Sequence, residues 1–223
     1  MNPPVTSLGT AFVDDGRAPR GGGAALERSP AQVFLAFFLV VVTMLFVLLT
    51  IAYLGRSQFG DWRSLAAEPG GPLADASRLW FNTALLAASS IALQWGRVAA
   101  RRGADAVMRR ALAAGGALAV AFIAAQIWLW SDLAARGHAV ASNPAASFFY
   151  LITALHGVHL AGGLIALAVA VARIVRTPAR SRAGIEMVAT YWHFLLLVWL
   201  AMFALLASPP STIEFLAALC GFR

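Results

Sequence analysis

From residue 139 to residue 172 the chain carries no charged side chain, and within that run stand Thr153, His156 and His159. About 20 apolar helical residues cross the hydrocarbon of a bilayer. The run therefore reads as a transmembrane helix that holds two imidazoles and a hydroxyl at membrane depth. Polar groups there are costly to keep. They imply a purpose: packing against another helix, gripping a lipid, or chemistry. Composition agrees on the setting, with 60% of the residues hydrophobic and 12% charged, against roughly 25% charged in soluble domains.

Five charge-free apolar segments recur, at about residues 33–54, 79–96, 111–131, 145–172 and 187–208. Each has helix length, and none shows the alternation of a barrel strand. The expected fold is an all-α polytopic membrane protein, a bundle of five transmembrane helices over residues 32–208. Residues 1–31, Gly-, Pro- and Arg-containing and without an apolar core, read as a mobile tail rather than a cleaved signal peptide. Residues 209–223 read as a second tail, weakly amphipathic through Ile213, Phe215, Leu216 and Leu219, resting at an interface. Pro69-Gly70-Gly71-Pro72 signals turns in the longest connection, Asn143-Pro144 a helix start, and Thr177-Pro178 a break. The lone Cys220 excludes an intrachain disulfide.

All seventeen basic side chains are Arg, and their placement sets an expected orientation. Arg97, Arg101, Arg102, Arg109 and Arg110 flank the second connection. Arg173, Arg176, Arg180 and Arg182 flank the fourth, whereas the third holds Arg136 alone. By the positive-inside rule the second and fourth connections and the amino terminus are cytoplasmic, and the carboxyl terminus is outside. The formal charge of +7 then faces anionic lipid. A nucleic-acid partner is not needed to explain it.

The polar residues at membrane depth form helical stripes. Phe149, Thr153, His156, Leu160 and Gly163 recur at three- and four-residue steps, and His159 lies about 60° round the axis from His156. Glu186, Thr190 and His193 recur likewise beside Tyr191, Trp192 and Trp199. Asn82 and Thr83 lead into Leu86, Ser89 and Ser90. Such faces turn toward protein, because small residues permit close approach and polar ones bond across helices. Thr153, His156 and His193 are expected to bond across the fourth and fifth helices. Glu186 is expected in the first turn of the fifth helix, where the helix dipole favours it. Trp62, Trp80, Trp95, Trp128 and Trp130 read as interface anchors.

Two chemical readings compete with structural histidines. His156, His159 and His193 as metal or haem ligands would need further ligands and second-shell partners, which the sequence does not offer; neutral histidines hydrogen-bonded in the bundle are the simpler expectation. A transporter relay through Glu186 is weakened because no acidic residue lies within any helix core, nor are there inverted repeats.

Three groups of residues carry a resemblance: Asn82-Thr83, Leu85-Leu86 and Ser89-Ser90; Phe148-Phe149, Thr153, His156-Gly157, His159 and Gly163; and Glu186, Tyr191-Trp192-His193-Phe194 and Val198-Trp199-Leu200. In this order and spacing the chain resembles subunit III of the haem-copper terminal oxidases over about residues 79–203. The resemblance implies the short five-helix form and a subunit without catalytic residues, metal or cofactor of its own. It implies packing on a catalytic subunit I and subunit II that hold the haem and copper, in the bacterial cytoplasmic membrane. It further implies support of proton uptake and enzyme stability, and bound phospholipid, with Arg173, ten residues after Gly163, meeting a headgroup. The chain departs from the pattern where family carboxylates are common, near Val41, Leu129 and Leu196. A related accessory subunit of a nitric oxide reductase, or an independent histidine-bearing transporter or haem carrier, are the alternatives.

Overall fold

In the computed structural model, residues 29–65, 77–176 and 182–222 are described. The expected turn at Pro69 to Pro72, the break at Thr177-Pro178 and nearly all of the amino-terminal tail lie outside them. The described residues form six helices in order: α1 (Pro30–Arg56), α2 (Ser77–Arg101), α3 (Asp105–Ala135), α4 (Pro144–Arg176), α5 (Arg182–Leu206) and α6 (Pro210–Leu219). Among the described residues there is no strand.

Local chemistry sets several helix ends. Ser29 and Gln32 form a reciprocal capping box ahead of Pro30, which satisfies two of the donors that a helix start leaves free. The α2–α3 turn places Gly103 at φ +72°, a left-handed conformation that glycine adopts without a Cβ penalty. Asn143 starts α4 by accepting from the Ala145 amide at 3.1 Å, and its own amide donates to the Arg63 carbonyl at 2.5 Å. At the far end of α1, Arg56 grips Asp61 through two bonds of 2.8 and 2.5 Å, and the guanidinium holds that carboxyl below its ordinary range. Asp132 is clasped by Arg78 of α2 and by Arg136 one turn further along its own chain.

The helices overrun the charge-free segments at most of their ends. The α3 helix runs from 105 to 135 where 111–131 was expected, and α2 from 77 to 101 where 79–96 was expected. A charge-free window measures the hydrocarbon, not the helix, so exposed arginines such as Arg101, Arg109 and Arg110 continue the helices beyond it. The segment after residue 209, expected as a tail, contains α6, which buries Ile213 and Ala217. Phe222 behind it lies so close to α1 that a Cβ on Gly55 would meet its ring at 3.1 Å.

Among the described residues, four helices are by themselves long and apolar enough to cross a membrane: α1, α3, α4 and α5. The α2 helix has similar length, and its mean hydropathy is lowered by the polar residues it buries, Asn82, Thr83, Ser89 and Ser90. Burying them requires close neighbours. Against α3 the approach is so tight that a Cβ on Gly115 would fall 2.8 Å from Leu93, and one on Gly96 would fall 3.0 Å from Leu112. The other side of α2 faces α5, α5 also meets α4, and α4 meets α3. The α1 helix is outermost, touching α4, α5 and α6 and exposing Phe34, Phe37, Met44 and Leu48. Trp192, Trp199, Phe122 and Phe149 fill the centre.

Candidate functional site

The buried polar residues form a seam along the centre of the bundle, built on one face of α2. Asn82, Ser89 and Ser90 recur at helical spacing, so one stripe of the helix presents them to α3 and α5. Three tryptophans then use three hydroxyls in the same way. The Trp199 indole N–H donates to Thr83 Oγ1 at 2.9 Å, and that hydroxyl donates to the Leu79 carbonyl at 2.7 Å. Trp192 donates to Ser89 Oγ at 2.9 Å, and Ser89 passes its hydrogen to the Gly115 carbonyl of α3 at 2.7 Å. Trp130 donates to Thr153 Oγ1 at 3.1 Å, and Thr153 donates to the Phe149 carbonyl at 2.7 Å. Each hydroxyl both accepts and donates, so indole, hydroxyl and a spare helix carbonyl lone pair are satisfied together.

His193 bridges α5 to α2. Its Nδ1 lies 2.6 Å from Ser90 Oγ and its Nε2 3.1 Å from Gln94 Oε1. An amide oxygen only accepts, so Nε2 carries a hydrogen toward Gln94. Both ring nitrogens are bonded. Toward the end of the same seam Arg101 of α2 pairs with Glu186 of α5 at 2.7 Å. Glu186 is therefore an interhelical ion-pair partner and not a first-turn residue, because α5 begins four residues earlier, at Arg182.

On α4 the two histidines face different surroundings. His159 Nδ1 donates to the Leu155 carbonyl of its own helix at 2.7 Å, and its ring lies 5.6 Å from Phe46 and 6.3 Å from Phe38 of α1. Tyr191 donates to the His159 carbonyl at 2.9 Å. The approach of α5 depends on Gly163, where a Cβ would meet the Tyr191 and Trp192 rings at 2.9 Å. His156 is wholly buried between Phe122 and Trp199, with ring centroids at 6.1 and 5.2 Å. Neither of its nitrogens has a partner among the described residues.

The expected pairing of Thr153, His156 and His193 across α4 and α5 is not what the structure shows. Thr153 is bonded to α3, His193 to α2, and His156 to neither. Spacing gives the face of a helix but not the neighbour that the face meets. Of the tryptophans read as interface anchors, Trp80, Trp95 and Trp128 are exposed. Trp130 is committed to Thr153, and Trp62 packs edge-on against Tyr53. Two amides join the seam without having been placed in any of the expected polar stripes. Gln94 lies one turn beyond Ser90, and Gln126, one turn before Trp130, accepts from Asn82 Nδ2 at 2.8 Å. Their helical register with named polar residues was the available signal.

Chemically, this arrangement fastens helices. The three histidines serve three separate contacts, and among the described residues no three His, Cys, Asp or Glu side chains converge as a metal-binding group. Arg173 stands exposed on α4, three residues before the helix end at Arg176. Of the positions that depart from the resemblance, Val41 is exposed on α1, whereas Leu129 is buried in α3.

The family model of cytochrome c oxidase subunit III matches residues 31–207. The chain is 36% identical over 127 residues to a probable cytochrome c oxidase subunit 3 of Mycobacterium tuberculosis, covering 56% of this chain and 62% of that one. The chain thus spans less than two thirds of the length of the mycobacterial relatives it matches. A cytochrome c oxidase subunit 3 of Thermostichus vulcanus is 28% identical over 211 residues, 92% of this chain and 97% of the relative. One from a Synechocystis strain is 30% identical over 176 residues, 77% and 72% respectively.

Proposed function

We propose that this chain, which belongs to the cytochrome c oxidase subunit III family, works as a non-catalytic accessory subunit of a respiratory haem-copper oxidase. The observation that carries the proposal is the use made of the polar seam in the region matched by the family. Its hydroxyls, indoles and His193 are bonded to other helices or to backbone, which suits a scaffold. The donor set agrees: His156, His159 and His193 face three different environments, so haem and copper are assigned to the partner, catalytic subunit I with subunit II.

In this reading α2 is the fifth crossing, because its 25 residues at ~1.5 Å each exceed the ~30 Å of hydrocarbon. Its polar stripe is tolerated by facing α3 and α5 rather than lipid. The amino-terminal tail is cytoplasmic, α6 lies at the outer interface, and the membrane is the bacterial cytoplasmic one. The scaffold holds phospholipid, with Arg173 at the headgroup level, and supports proton uptake and durability of the enzyme. Isolation from membranes through an affinity tag on this chain, in mild detergent, tests the reading. A haem-bearing catalytic subunit should co-purify in fixed ratio. A chain that emerges alone, while the oxidase stays intact and active elsewhere, would overturn it.

A further inference from the structure

We propose that Gln126 of α3 and His156 of α4 bind an ordered internal water molecule between them, a site that joins three helices through one polar connection. The proposal starts from three buried side-chain atoms with no partner among the described residues: Gln126 Nε2, His156 Nδ1 and His156 Nε2. Gln126 is 5% exposed and His156 wholly buried, so neither group reaches bulk solvent or a headgroup. Buried polar groups are almost always bonded to protein or to ordered water, and leaving one without a partner is costly.

Two contacts between α3 and α4 bracket Gln126 along the chain. One turn to one side of Gln126, Phe122 stacks edge-on against the His156 ring at 6.1 Å. One turn to the other side, Trp130 donates to Thr153, three residues before His156. Gln126 therefore falls between two established α3–α4 contacts, and no direct bond joins it to the histidine. The chemistry of the orphans is complementary to water, which can both accept and donate between two groups that are not bonded to each other. The amide offers an N–H, and a neutral imidazole offers one bare nitrogen as acceptor and one N–H. A water oxygen accepts from Gln126 Nε2 while one water hydrogen is donated to the bare His156 nitrogen. That supplies two of the two to four polar partners that an internal water requires, and the remaining imidazole N–H turns to the same or a second water. Hydrocarbon cannot do this, and an ion would leave an uncompensated charge at membrane depth.

The connection then runs from Asn82 of α2 to Gln126 at 2.8 Å, through water to His156 of α4, whose ring rests against Trp199 of α5 at 5.2 Å. A density map of the intact purified complex, at a resolution that shows other internal waters, tests it directly. The expected result is a peak at hydrogen-bond distance from both Gln126 Nε2 and a His156 nitrogen. A map without that peak, or with the two side chains bonded directly to each other or to other protein groups, overturns the proposal. A double-mutant cycle gives a second reading. Gln126→Leu and His156→Leu should each lower the thermal midpoint of the complex, and the double variant should lower it by clearly less than their sum. Strict additivity contradicts the bridge. If His156→Leu does not assemble, His156→Gln takes its place in the cycle with the same two outcomes.

Discussion

At the scale of the residue, the chain handles much of the cost of polarity in a membrane by giving buried indole and hydroxyl donors an acceptor that has capacity to spare. The Trp–hydroxyl–carbonyl arrangement appears at Trp130, Trp192 and Trp199, and His193 does the same work with Ser90 and Gln94. Interhelical bonds of this kind contribute only ~0.6 kcal/mol on average and at most ~1.7. Replacing His193 by Leu should therefore cost about 1 kcal/mol, since Ser90 can turn its hydroxyl back to its own helix while Gln94 loses a donor. Thermal unfolding of the purified complex reads this as a small lowering of the midpoint with the visible spectrum unchanged; a changed spectrum would give His193 a role at a redox centre. Arg173 is the other residue whose part can be separated by substitution. An arginine at a helix end snorkels to the interface, and its fork fits a phosphate. Arg173→Ala should release a tightly held phospholipid, measured by mass spectrometry of lipid extracted from the complex, whereas Arg180→Ala should retain it. Equal retention returns Arg173 to the ordinary role of a topogenic charge.

Among elements, α2 and α3 form the firmest pair, and glycine sets their distance. At Gly115 an added Cβ would fall 2.8 and 2.9 Å from atoms of the fully buried Leu93 and 3.3 Å from the Ser89 carbonyl. Overpacking of this kind costs about 1–3 kcal/mol. Gly115→Ala should lower the thermal midpoint of the complex, and Gly157→Ala, where nothing lies within 4 Å, should not; equal effects would mean that the α2–α3 distance is not set at Gly115. The helices themselves were legible because charge-free runs of membrane length are scarce outside membranes. The stripes of α2, α4 and α5 were legible from their spacing. Partner choice was not: the sequence places His193 on an inward face of α5, yet whether that face meets α2 or α4 depends on the packing order of helices distant in sequence. The position of Glu186 was misjudged for a related reason. Arg182 and Arg101 lie beyond the charge-free windows but still inside helices, so the windows put the start of α5 too late.

At the scale of the whole molecule, the described residues form a bundle of helices with one polar seam at its centre and α1 at its rim. Its orientation is open to a direct check because Cys220 is the only cysteine in the sequence and is exposed. A membrane-impermeant maleimide should label Cys220 on intact spheroplasts, and labelling only after permeabilisation would invert the topology. The central claim, that the chain serves an oxidase without holding its redox groups, is tested most directly by the visible spectrum. The tagged complex should show haem bands, and after this chain is split from its partners by stronger detergent, all the haem should remain with the partners. A stoichiometric haem spectrum that stays with the isolated chain, and disappears on replacing His156 or His159, would contradict the account.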